Sequence, residues 1–169
     1  TSTMYARAFF ETLNFDAVTV APYMGRDSIQ PFLEFKDKTT IVLGLTSNAG
    51  SADFQTKNAN NPLYQDVLKT VSAWGDLQNL MFVVGATKAD KLKEIRKIVP
   101  NHFLLIPGVG AQGGSAVEVC DNGMNKHGGL LINSSRGIIY ARNDENFAQA
   151  AKEAAKNLAA QTKPFASAL

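Results

Sequence analysis

The residues with the most chemistry to offer lie in two short stretches. In Pro107-Gly108-Val109-Gly110-Ala111-Gln112-Gly113-Gly114, four glycines surround one amide side chain. Such glycines let a backbone approach a ligand closely and turn N–H groups toward an anion. In Asn133-Ser134-Ser135-Arg136-Gly137, the arginine can grip a phosphate through its bidentate fork, with neighbouring N–H groups assisting. Alone, the first reads as an ordinary loop and the second as a surface charge. Together, in adjacent units of one fold, they point to phosphate binding. Gly108 to Gly113 also fits G-x-G-x-x-G, but no acidic residue ends a strand about 20 residues further on, as a dinucleotide site requires.

Other chemistry is thinly represented. Asp90, Glu94 and Glu118 fall on helices at solvated positions and form no carboxylate pair. His102 and His127 have no Cys or His at ligand spacing, which argues against a metal. Cys120 reads as a small buried apolar residue. Ser134 and Ser135 lack a visible base, and Trp74, Phe82 and Phe103 read as core.

The elements that must position these residues alternate. Short apolar runs at 16–21, 40–45, 80–84, 102–106 and 129–133 read as strands. Amphipathic stretches from Thr1 to Leu13 and over 26–36, 62–74, 87–99, 113–126 and 144–161 read as helices. In the first, Thr1 or Ser2 could cap the start, with Met4, Phe9 and Leu13 on the apolar side. Pro31 is expected in the first turn of its helix and Pro62 at the first helical position. Thr87 to Asp90 resembles a capping box. The last helix carries Phe147, Ala151, Ala154, Ala155 and Leu158 on one side. Near-continuous apolar strands are the pattern of a parallel sheet covered on both faces. Repeated β-then-α units leave a doubly wound sheet or a β/α barrel, and both put function at the carboxyl ends of the strands. Both chemical stretches sit there.

At 169 residues and 45% hydrophobic, the chain is expected to form a single domain over 1–169. Seventeen basic and fifteen acidic residues are spread without a block, so neither nucleic acid nor a membrane surface is an expected partner. A lone cysteine suits a reducing cytoplasm. No apolar run approaches the ~20 residues of a membrane span, and no signal peptide is visible. A helix at the very start, with no strand before it, suggests a chain entered partway through a larger fold.

Three segments, "DAVTVAPYMG", "LLIPGVGAQGG" and "NSSRGIIYA", in that order resemble the second half of the orotidine 5′-monophosphate decarboxylase family, in its longer bacterial form. The resemblance implies a (β/α)8 TIM barrel of which this chain supplies roughly strands 4 to 8. It implies a lyase of pyrimidine biosynthesis that converts a small nucleotide substrate to uridine 5′-monophosphate and carbon dioxide. The family is usually a homodimer with active sites at the subunit boundary, and needs no metal or organic cofactor. Carried over, Gln112 reaches across the phosphate toward the pyrimidine from the loop of Gly108 and Gly110. Arg136 clasps the phosphate, assisted by N–H groups near Ser135 and Arg136. Thr46 or Ser47 binds the amide edge of the base, and Pro107 lines the base pocket. Thr1 falls where a threonine approaches the ribose of the partner subunit, a match resting on one residue.

One departure is large. The family's Asp-x-Lys-x-x-Asp signature is expected just before Thr1 and does not occur in these residues, and five strands are counted where a barrel has eight. The catalytic Lys and Asp residues are therefore expected upstream, and the chain alone is expected to be inactive. Two alternatives are another phosphate-binding barrel enzyme, such as a ribulose-phosphate epimerase, and a non-catalytic nucleotide-binding protein. An epimerase would need a His, acidic or metal-ligand residues at several strand ends, and these strand ends are poor in them.

Overall fold

The computed structural model describes residues 1–110 and 113–167. Gln112 lies outside the described residues, so its expected contact is not placed. Five parallel strands make one sheet in the order β1-β2-β3-β4-β5. They are β1 (Ala17–Val20), β2 (Thr39–Leu45), β3 (Leu80–Val84), β4 (Leu104–Pro107) and β5 (Leu130–Asn133). A doubly wound sheet reverses direction at its switch point. This sheet instead adds every strand to the same edge. With right-handed crossovers, that keeps the connecting helices on one face, the winding of a β/α barrel.

Register explains where the core lies. Val20, Val42, Phe82, Leu104 and Leu130 stand side by side in one row. Against them pack helices α2 (Arg26–Leu33), α4 (Leu63–Ser72), α5 (Leu92–Ile98) and α6 (Ala116–Gly123). Ile29, Leu33, Leu68, Val71, Ile95 and Val119 close that layer. Fully burying one such side chain is worth about 1.5–3 kcal/mol, so this interface carries most of the hydrophobic stabilisation. The next residue of each strand points the other way. Leu43, Val83, Leu105 and Leu131 form that opposite row, and Leu131 at the sheet edge is 52% exposed. The expectation of strands covered on both faces therefore holds at the centre of the sheet and fails at β1 and β5.

Several local expectations need correction. Helix α1 (Ser2–Arg7) runs into a wide π turn over Ala8–Thr12, whose Leu13 N–H reaches back to Ala8 O. Thr1 caps it by position, with no side-chain bond. The buried residues are Ala6 and Phe10, one turn apart, while Met4 and Leu13 are exposed. Pro31 is the sixth residue of α2, not in its first turn, so its missing N–H removes one hydrogen bond from inside the helix. Pro62 is the residue before α4, in extended conformation. The capping box at Thr87 does not form. Ala86–Lys91 is a 3-10 turn entered from Gly85 with no side-chain cap, and Lys88 leaves helical geometry. Phe103 is 40% exposed, because it precedes β4 on the side opposite Leu104. Phe82 and Cys120 are buried as expected.

Two single-turn helices, α3 (Ser51–Phe54) and α7 (Arg136–Ile139), are too short to show a period in sequence. The last helix, α8 (Phe147–Ala166), runs past its expected end. Ala151, Ala154, Ala155 and Leu158 are half-buried, but Phe147 is exposed. Among the described residues no helix is long and apolar enough to cross a membrane.

Candidate functional site

Parallel pairing of β4 with β5 sets Pro107 opposite Asn133, so the two chemical stretches leave the sheet side by side. Between them lies a cleft of about 250 Å³, walled by Pro107 to Val109 on one side and Asn133 to Arg136 on the other. Gly108, Gly110 and Gly113 have φ of 97°, 78° and 86°, a left-handed backbone that side chains with a Cβ disfavour. Gly114 is required for another reason. A Cβ there would lie 2.3 Å from Ala86 Cβ and 2.9 Å from Gly108 O.

The glycine loop is less open to a ligand than its composition implies. Gly110 N–H donates to Gly114 O (2.9 Å), Gly113 N–H to Gly110 O (2.8 Å) and Gly114 N–H to Gly108 O (3.2 Å). Three of the four glycine donors thus hold the loop's own shape, because it extends beyond the strand and must satisfy its backbone internally. The free donors are on the opposite wall. Among the described residues, no acceptor meets the N–H groups of Ser135, Arg136 or Gly137, the first turn of α7. Arg136 is exposed and makes no ion pair or side-chain hydrogen bond among the described residues. An unengaged guanidinium beside unengaged N–H groups is suited to a phosphate dianion.

Side chains lock the walls together. Ser134 Oγ donates to Val109 O across the cleft at 3.1 Å, and Ser135 Oγ to Asn133 Oδ1 at 3.2 Å. The first link was not legible in the sequence, since nothing there shows that two loops 25 residues apart will touch. Toward the centre of the sheet, a Cβ on Gly85 would fall 1.9 Å from Ser47 Oγ and 2.8 Å from Ser47 N. The loops after β2, β3, β4 and β5 therefore form one continuous row from Thr46 to Arg136.

The two candidate hydroxyls in that row differ. Thr46 is engaged: its N–H donates to Gln55 Oε1 (2.8 Å), and Gln55 Nε2 donates to its Oγ1 (2.9 Å). Its hydroxyl proton is then directed to Asn48 Oδ1 at 2.5 Å. Ser47 Oγ is buried and has no partner among the described residues. Thr1 is exposed at the start of α1 and lines neither this cleft nor the larger one described next.

That larger cleft, about 400 Å³, lies elsewhere, beyond the ends of β1 and β2 between Pro22, Tyr23, Phe54 and Val67. It is almost wholly apolar and holds no charged group, so it offers an anion less than the smaller cleft does. Burial, with Asp121 adding to it, pushes the Cys120 thiol up, away from thiolate chemistry. Among the described residues no group of three His, Cys, Asp or Glu is placed to hold a metal ion.

Comparison with known proteins bears on this geometry. Residues 1–152 match the family model "Orotidine 5'-phosphate decarboxylase / HUMPS family". The chain is 62% identical over 156 residues to the orotidine 5′-phosphate decarboxylase of Flavobacterium johnsoniae, covering 92% of this chain and 57% of that protein. It is 63% identical over 152 residues to that of Christiangramia forsetii, covering 89% and 56%. The chain thus spans a little over half the length of these curated relatives. Among solved structures, Leishmania donovani OMP decarboxylase superposes with a TM-score of 0.80 at 36% identity, over 95% of this chain and 62% of that one. Leishmania donovani UMP synthase gives 0.82 at 39% identity, over 95% and 36%. The five β/α units are consecutive units of a (β/α)8 barrel.

Proposed function

This chain belongs to the orotidine 5′-phosphate decarboxylase / HUMPS family, and we propose that it supplies the phosphate- and base-binding side of an enzyme that decarboxylates orotidine 5′-monophosphate. The observation that carries this reading is the cleft between the ends of β4 and β5, where the Arg136 guanidinium and the N–H groups of Ser135 to Gly137 have no partner among the described residues. The phosphate sits there, against the rigid wall of Gly108 and Gly110. The base extends toward Pro107 and the end of β2, where Ser47 offers its hydroxyl to the amide edge. Thr46 does not compete for that role, since its donor and acceptor groups are engaged by Gln55 and Asn48. Gln112 is proposed to bridge phosphate and pyrimidine, and Thr1 to approach the ribose held by a partner subunit.

Decarboxylation leaves a carbanion-like ring carbon that must be stabilised and protonated. No residue of this chain is assigned that task; the family's Lys and Asp residues are expected to perform it. What these loops contribute is binding energy taken from the remote phosphate and applied to hold the ring in place. The proposed working form is a cytoplasmic homodimer, with residues 1–169 within one domain.

Calorimetric titration with uridine 5′-monophosphate (UMP) and with uridine tests the reading. The nucleotide is expected to bind at least about tenfold more tightly than the nucleoside, from charge-assisted bonds to one phosphate. Equal affinities would remove the phosphate site.

A further inference from the structure

Gln55 stands outside every motif of the chain, yet it organises the end of β2. Its backbone is anchored at both sides. Gln55 N–H donates to Ser51 O of α3 (2.8 Å), and Gln55 O accepts from Tyr64 N–H at the start of α4 (3.2 Å). Ser51 and Tyr64 are both buried, so this anchor is part of the core. From it the side-chain amide turns to Thr46 and meets that residue twice, accepting from its N–H and donating to its hydroxyl oxygen. A primary amide carries a donor and an acceptor side by side, so it can do both at once. Asn48 Oδ1 takes the remaining hydroxyl proton.

The consequence falls on the next residue. With both polar groups of Thr46 held, its backbone cannot rotate without breaking two hydrogen bonds. Ser47 is then fixed from behind by Thr46 and from the side by Gly85, whose missing Cβ leaves the space that Ser47 occupies. A shift in register at Leu43/Leu45 in β2 delivers the chain to this point out of step with β3, so ladder pairing alone does not hold it. We infer that Gln55 is a positioning residue for the base side of the site: by clamping Thr46 it engages that hydroxyl and holds the backbone that carries Ser47, whose hydroxyl has no partner among the described residues and is left for the pyrimidine. This rests on the reading above that the cleft binds a pyrimidine nucleotide.

Binding of UMP and of ribose 5-phosphate to the 169-residue chain, followed by NMR titration, tests it. Ribose 5-phosphate carries the phosphate and sugar without the base, so it reports on the cleft alone. In Gln55→Ala, UMP affinity is expected to fall about tenfold while ribose 5-phosphate changes less than about twofold, the loss of roughly one buried hydrogen-bonded contact. In Gln55→Glu, whose carboxylate still accepts from Thr46 N–H, UMP affinity is expected to recover to within about threefold. If Gln55→Ala unfolds, as its melting curve would reveal, Gln55→Met, which keeps the length of the side chain without its amide, takes its place with the same expected ratio. Unchanged UMP binding in the folded variant that lacks the amide, or equal loss for both ligands in it, overturns the inference and leaves the phosphate reading intact. A wild-type chain that binds UMP no better than ribose 5-phosphate removes the base site and the inference together. One that binds neither removes the cleft itself.

Discussion

Two arginines sit at opposite ends of the same two strands and have opposite fates. Arg96, on α5, lies under the amino ends of β4 and β5. Its guanidinium donates to Gly123 O (2.6 Å), His102 O (2.6 Å), Gly129 O (2.8 Å) and Val99 O (3.2 Å). Burial lowers its pKa to about 10, still a cation at neutral pH. Arg136, just past the carboxyl end of β5, is exposed, and its guanidinium makes no hydrogen bond or ion pair among the described residues. A guanidinium has five donors in a fixed fork. At the amino end the loops entering the strands turn their carbonyls to it and use those donors for the fold. At the carboxyl end no carbonyl among the described residues does so, and the fork is left open for the proposed phosphate. Barrels of this kind divide their labour along the strands in this way, stability at one end and binding at the other.

The sharpest way to break the comparison is to exchange what each arginine loses. Arg96→Ala leaves four carbonyls without their donor and is expected to cost more than about 3 kcal/mol. Urea denaturation measures it, and a loss below about 1 kcal/mol would show that water replaces the guanidinium freely. Arg96→Lys is expected to recover less than half, because one ammonium cannot span four acceptors. Arg136→Ala should do the reverse. Affinity for UMP is expected to drop about 10- to 100-fold while stability stays within about 0.5 kcal/mol. A similar drop for uridine would mean that Arg136 does not read the phosphate.

Gly113→Ala probes the wall facing Arg136. Space is open around it, so only the positive φ resists a Cβ, at an expected cost of about 1–2 kcal/mol. Denaturation midpoints check that figure, and ribose 5-phosphate titration shows whether the loop still faces Arg136. No loss of stability would mean that the loop can adopt a second conformation.

The smallest effect concerns the amino end again. His102 is buried, both ring nitrogens lack partners among the described residues, and its ring stands edge-on to Phe82 at 5.4 Å. Burial, and then the Arg96 charge, hold its pKa below the ordinary 6.5. The unfolded chain therefore binds a proton that the folded chain resists. His102 contributes its full stability above pH 6.5, and that contribution is lost as the pH falls through the lowered folded value. His102→Leu is expected to flatten this acid limb without changing ligand binding. An acid limb of equal slope in the variant would assign the pH response to other groups.

Much of this was legible in the sequence. Apolar runs of five or six residues marked all five strands near their observed places, because burying a parallel strand demands a continuous apolar stretch. The proposed phosphate site was suggested by residue types that are rare together, closely spaced glycines and a strand-end arginine. Boundaries and caps were less legible. Thr87 to Asp90 carried the residues of a capping box, but the chain leaving Gly85 turned too tightly to use them. Met4 and Leu13 looked inward until a π turn put Ala6 and Phe10 on the buried side.

What the sequence determined by itself was the kind of sheet and the strand ends from which the two candidate stretches project, since both follow from local residue type and spacing. Tertiary structure alone decided which donors remain free. Glycine N–H groups that composition offered to a ligand are taken by the loop's own hydrogen bonds, Arg96 is absorbed by four carbonyls and Thr46 is taken by Gln55. A hydrogen-bonding group becomes available or engaged only through its neighbours in space, and residues such as Gly129 and Arg96, 33 positions apart, become neighbours only when the sheet has formed.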